Sequence, residues 1–160
     1  MDEAEERTSA YYCIPPYRWQ QLRYDLVTRQ DYEWEPLPDE TLARVQQLHL
    51  LRPMQDSIYD FYRIQLNDPG IITAAHRENL GPDFYPFLLY ILTHEMVHLV
   101  RLSTILSQAE DLRPSMEEEE SRVQKVAYRI LSKSPDKDMR PILSKFCAHE
   151  SSAAGLCDIA

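Results

Sequence analysis

Residues 84–106 constrain this chain more than any other stretch. From Phe84 to Leu106 the sequence is apolar over a length that would cross a bilayer. His94, Glu95, His98 and Arg101 stand inside it, however, and each is costly in hydrocarbon. The stretch therefore predicts a buried helix of a soluble domain. Phe87, Leu88, Leu89, Ile91, Leu92, Met96, Val97, Leu99, Val100 and Leu102 leave it apolar on nearly every side, so the rest of the fold has to wrap it. Gly81-Pro82-Asp83 precedes it, with Asp83 as N-cap and Pro86 tolerated in the first turn.

At 160 residues the chain has room for one core, so residues 1–160 are read as a single domain with a flexible acidic start over 1–10. Seventeen Lys and Arg oppose 26 Asp and Glu, a net charge of −9, which argues against a nucleic-acid partner. Three glycines cannot build the phosphate-cradling loops of the common nucleotide-binding folds. The opening residues Met1-Asp2-Glu3-Ala4-Glu5-Glu6 lack the basic start and apolar run of a secretory signal. Cys13, Cys147 and Cys157 form no C-x-x-C pair, as in a reducing compartment. Together these features predict a cytoplasmic protein with no membrane and no nucleic-acid partner; they leave its oligomeric state open.

Periodicity predicts a helix over 18–29 from Trp19, Leu22 and Leu26, and another from Asp39 through Leu50 with Leu42, Val45 and Leu48 on one side. Phe61–Leu66 alternates, Asn67-Asp68-Pro69-Gly70 reads as a turn, and 71–74 follows as the second strand of a β-hairpin. Residues 110–114 interrupt the pattern. Ser115-Met116-Glu117-Glu118 is a capping-box sequence that opens a helix running to Ser132. A last short helix is expected over 138–148, after Pro135. The order predicts an α+β fold, dominated by helices, with a small antiparallel hairpin beside the central helix.

That central helix contains His94-Glu95-Met96-Val97-His98, an H-E-x-x-H. Residues four apart on a helix differ by only about 40°, so both imidazoles leave one face a turn apart. This suits two nitrogen ligands of one Zn²⁺. Glu95 lies about 100° round from His94, close enough to take a proton from a metal-bound water without itself being a ligand. Unpaired polar groups in so apolar a helix cost several kcal/mol each, which a metal would relieve. Core histidines satisfied by hydrogen bonds are the alternative.

A hydrolytic metal site needs a third protein ligand, and Glu117–Glu120 is the obvious supply. The same carboxylates also complement a helix N-terminus with no metal present. With Met116, Val123, Val126, Ala127, Ile130 and Leu131 as the buried face, Glu119 and Glu120 each lie about 50° from its centre, on opposite sides. Glu117 is further away and Glu118 points outward. Periodicity leaves Glu119 and Glu120 tied. His149 is a further candidate, without a spacing signature. Tyr62, His76 and Tyr128 read as packing or surface residues, and His49 as a satisfied or surface histidine.

At this point the chain resembles the zincin metallopeptidases, and among them the glutamate-type zincins. The run Glu120-Ser-Arg-Val123-Gln-Lys-Val126-Ala127-Tyr-Arg-Ile130-Leu131 is similar to the E-x-x-A-x-x-F-A-x-x-L-L pattern of the small ImmA/IrrE-like group. Val97 stands where that group usually has glycine. The resemblance spans 84–131 by motif. It implies Zn²⁺ held by His94, His98 and Glu120, with Glu95 as general base and acid; Glu119 stays the alternate on periodicity alone. It also implies a protein or peptide substrate, laid as an extended strand against the edge of the sheet. A zinc-bearing binding module without proteolysis and a metal-free helical interaction domain compete with this expectation. The intact Glu95 favours the peptidase, since a structural site has no need of a carboxylate beside bound water.

Overall fold

Wrapping the apolar segment takes helices on one side and a small sheet on the other. The computed structural model describes residues 1–31, 35–38, 40–51, 58–105, 115–133 and 137–147. In chain order these form α1 (Asp2–Tyr11), α2 (Pro16–Trp19), β1 (Tyr24–Val27), β2 (Ala43–Leu51), β3 (Ile58–Leu66), α3 (Asp68–Arg77), α4 (Phe84–Ile105), α5 (Met116–Leu131) and α6 (Met139–Phe146). The fold is α+β and helix-dominated, with a three-stranded mixed sheet. No described helix is long and apolar enough to cross a membrane.

The central helix forms as expected, and α1, α5, α6 and β2 all pack against it. Phe87, Met96, Val97 and Leu99 of α4 are fully buried, as are Val123, Ala127 and Leu131 of α5, Ile142 of α6 and Ile64 of β3. Each large apolar side chain so buried contributes roughly 1.5–3 kcal/mol. The capping box at Ser115 is complete: its hydroxyl accepts from the Glu118 amide while the Glu118 carboxylate accepts from the Ser115 amide. α5 therefore begins where the sequence places it, and α6 follows directly after Asp138.

Within the sheet the order is β1-β3-β2, with β1 parallel and β2 antiparallel to β3. Val45 faces Ile64 and Ala43 faces Leu66 on the buried side. The other side is held by polar pairs. Arg63 grips Asp25 with Nη2–Oδ2 at 2.7 Å, and Arg44 donates to Gln65 Oε1 at 2.6 Å. β2 lies at the edge. Since the Asn67 amide bonds to the Leu42 carbonyl at 2.9 Å, the antiparallel alternation turns Ala43 and Val45 outward, N–H and C=O toward the open side.

The structure departs from the sequence expectation in four places. Residues 18–29 are not one helix: Pro16 starts a single turn that ends at Trp19, and Tyr24–Val27 pairs with β3. Residues 43–51 are strand, not helix; helix-tolerant residues are captured by nine paired positions along β3, and tertiary pairing overrides propensity. The antiparallel hairpin is β2–β3 rather than 61–66 with 71–74. The start of the chain is ordered as α1, because Ala4 and Thr8 one turn apart are buried and Glu5 meets both Trp19 and Tyr24. Asp39, the expected helix cap, and the break at 110–114 lie outside the described residues.

Asn67-Asp68-Pro69-Gly70 begins α3 instead of turning a hairpin. Asn67 caps the helix by accepting from the Gly70 amide at 3.3 Å, and its Nδ2 donates to the Thr41 carbonyl at 2.9 Å. A Cβ at Gly70 would come within 2.7 Å of that Nδ2, so the cap needs glycine there. Asn67→Ala is expected to cost about 1–2 kcal/mol, a Tm lower by roughly 2–8 °C in calorimetry. An unchanged Tm would remove the cap from the account of how α3 is anchored.

Candidate metal centre

His94 and His98 sit mid-way along α4, where the helix is best buried and its backbone fully bonded. Their rings lie on one face with centroids 4.9 Å apart. Opposite them, α5 delivers Glu120. Its Oε1 is 2.9 Å from His94 Nε2 and its Oε2 is 3.2 Å from His98 Nε2. One ligand atom from each of the three residues lies within 4.8 Å of the others. Two imidazoles and a carboxylate at such spacing can share one ion with bonds of about 2.0–2.2 Å. This nitrogen–oxygen donor set is one that Zn²⁺ accepts.

The charges around this group are strongly coupled. Hydrogen bonds to His94, then to His98, hold the Glu120 carboxyl well below the usual carboxylate range. Burial alone would lower the pKa of His98; the carboxylates of Glu120, Glu95 and Glu119 outweigh it and push it up. His94 Nδ1 is buried with no hydrogen-bond partner among the described residues, so the ring's polar anchor is at Nε2, facing Glu120. The site opens on the carboxylate side: the His94 and His98 side chains are 13% and 20% exposed, Glu120 57%.

Glu95 stands beside the group but is not one of the three. It is buried, at 5% exposure, and burial pushes its carboxyl above the ordinary value. The nearby His94 and His98 and a hydrogen bond with the Val45 backbone pull the other way. Val45 is one of the outward-turned positions of β2, so the edge strand itself holds this carboxylate.

Glu119 goes elsewhere. Both of its oxygens accept from Arg101 of α4, from Nε at 2.5 Å and from Nη2 at 2.8 Å. That pairing lowers the Glu119 carboxyl pKa and breaks the tie that periodicity left. The metal-capable group contains Glu120.

A cleft of 570 Å³ runs across the site. Residues 40–45, leading into and along β2, form one wall, and Tyr90, Ile91, His94, Glu95, His98 and Leu102 of α4 form its floor. Met116, Glu120 and Phe146 close the far side. Nothing among protein-family models, curated proteins or solved structures matches this chain.

Other candidate residues do not join it. His49 is on exposed β2 surface beside Asp60, at 3.1 Å, and His76 is exposed near the end of α3. Tyr128 is a largely exposed residue of α5, while Tyr62 is buried among the core side chains. His149 and Cys157 lie outside the described residues. Three contributors were missed. In the sequence Arg101 reads only as a charge in an apolar stretch, although its place three residues after His98 puts it on the same flank. Tyr90, one turn before His94, lines the cleft under a stacked Phe146 ring at 5.8 Å. The Val45 amide left no signal, because its role depends on strand register.

Proposed function

We propose that this chain is a zinc-dependent metallopeptidase of the zincin kind, cutting peptide bonds of a protein or peptide bound along β2. The observation that carries this reading is the meeting of His94 and His98 on the single carboxylate of Glu120, with Glu95 buried beside them in the same cleft. A core pair of histidines satisfied by hydrogen bonding would not need an acid of raised pKa next to it, nor an open cleft over it.

The chain's own groups suit hydrolysis. Ala43 turns its N–H and C=O to the open side of β2, where an extended peptide can add as a further strand. Such a peptide lies across the cleft floor with a carbonyl over the histidine pair. His94, His98 and Glu120 would hold zinc, which when bound would supply positive charge to polarise that carbonyl and acidify water. Glu95 takes the proton as the water oxygen bonds to the carbonyl carbon. It then gives the proton to the amide nitrogen as the C–N bond breaks, leaving an amine and a carboxylic acid, whose remaining proton passes to the amine to give ammonium and carboxylate. A raised carboxyl pKa serves both halves, since the group must accept and return a proton near neutral pH. The Val45 hydrogen bond keeps it aimed.

Incubating the zinc-loaded protein with a library of unfolded peptides, and reading new termini by mass spectrometry, tests the proposal. Cleavage is expected to disappear on chelation and to return with one equivalent of zinc. Zinc bound one per chain with no peptide cut would favour the binding module instead.

A further inference from the structure

We propose that Arg101 is a positioning residue that decides which of two adjacent carboxylates completes the metal centre; this rests on the reading of that centre given above. Glu119 and Glu120 are consecutive, so they leave α5 about 100° apart and cannot both face the histidines. The α4 surface offers them two different partners. His94 and Arg101 are seven residues apart, close to two full helical turns, and so lie nearly in line, with His98 between them. The histidines take Glu120 and the guanidinium takes Glu119.

Arg101 binds Glu119 in a fork, Nε to one oxygen and Nη2 to the other, with both side chains 21% exposed. A two-point pair of planar groups fixes orientation as well as distance. It therefore sets the rotation of α5 about its own axis, and with it the direction in which Glu120 points. Tyr12, at the end of α1, lies against the same guanidinium, so three helices meet at this one side chain. The complete capping box at Ser115 keeps the first turn of α5 rigid, so the setting carries to the next residue without slack.

The test is zinc affinity by competition titration on the full chain, with circular dichroism and melting of the metal-free protein alongside. Arg101→Met is expected to weaken zinc binding about 10–100-fold, the usual effect of losing a group that orients a ligand. Arg101→Lys should recover only part of that loss, because an ammonium cannot make the fork. Glu119→Gln keeps the shape and one acceptor, and should weaken binding less than Arg101→Met. Exchanging the pair, Arg101→Glu with Glu119→Arg, should restore affinity towards wild type. Cobalt-substituted Arg101→Met should show altered visible bands, a change that a purely structural role leaves untouched. The proposal is overturned if both Arg101→Met and Glu119→Gln bind zinc as tightly as wild type. Should Arg101→Met fail to fold, Glu119→Gln and the exchanged pair decide. A wild-type chain that takes up no zinc defeats the metal centre itself, a separate result.

Discussion

Zinc-loaded Glu95→Gln protein is expected to keep its ion and to cleave peptides roughly 10²–10⁴-fold more slowly than wild type, the range for removing a positioned general acid–base. Glutamine preserves the volume of the side chain in a site that is 5% exposed, and its carbonyl oxygen can still accept from the Val45 amide. It cannot accept and release a proton. His94, His98 and Glu120 are untouched, so zinc occupancy should match wild type within error. The comparison is single-turnover cleavage at equal zinc content. A variant that cuts within a few-fold of wild type would remove Glu95 from the chemistry, even if the metal assignment stood.

The same substitution should act in the opposite direction on stability. Burial raises the Glu95 carboxyl pKa in the native state, with only partial relief from His94, His98 and Val45. A carboxyl whose folded pKa exceeds its unfolded value binds protons more tightly when folded. Its penalty is therefore fully present above the folded pKa and is relieved as pH falls toward the unfolded one. Glutamine carries no such penalty. Metal-free Glu95→Gln should melt higher than wild type at pH 7, by about 2–4 °C if the gain is ~1 kcal/mol. The difference should shrink as pH is lowered. A lower Tm at pH 7 would mean that the histidine charges, not burial, dominate at this carboxylate.

How much of this was legible in the sequence follows from the range of the interactions. His94, Glu95 and His98 were readable because helix geometry alone puts them together, and nothing distant can change a 3.6-residue repeat within a buried helix. Ser115 and Glu118 were readable for the same local reason. Residues 43–51 were not, since Leu42, Val45 and Leu48 satisfy a helical spacing as well as a strand, and only pairing with Ile58–Leu66 decides between them. Asn67-Asp68-Pro69-Gly70 was ambiguous in a different way. Asn, Pro and Gly favour both a turn and a helix start, and the deciding bond is from Asn67 Nδ2 to Thr41, a residue far back in the chain. At the site, the tie between Glu119 and Glu120 could not be resolved from α5 alone. The group that separates them, Arg101, belongs to the other helix.

The second large effect is the contrast between Glu120→Ala and Glu119→Ala. Both remove a carboxylate from the first turns of α5, and both leave Val123, Ala127 and Leu131 to hold the helix against the core. Any general consequence of lost acidity at the helix start should therefore be common to the two. What differs is the partner. Alanine at 120 deletes the oxygens that lie 2.9 Å from His94 Nε2 and 3.2 Å from His98 Nε2, leaving two nitrogen ligands. Zinc affinity should then fall by more than the roughly 10–100-fold typical of a supporting group. Alanine at 119 breaks the fork with Arg101 and loosens the aim of Glu120, but the ligand itself remains. That variant should still bind one zinc per chain at micromolar protein, with affinity reduced within the supporting range. Elemental analysis after dialysis, followed by competition titration, separates the two. Equal retention of zinc by both variants would place the third ligand elsewhere and return His149 to consideration. Equal loss would mean that the fork on Arg101 matters as much as the ligand it aims.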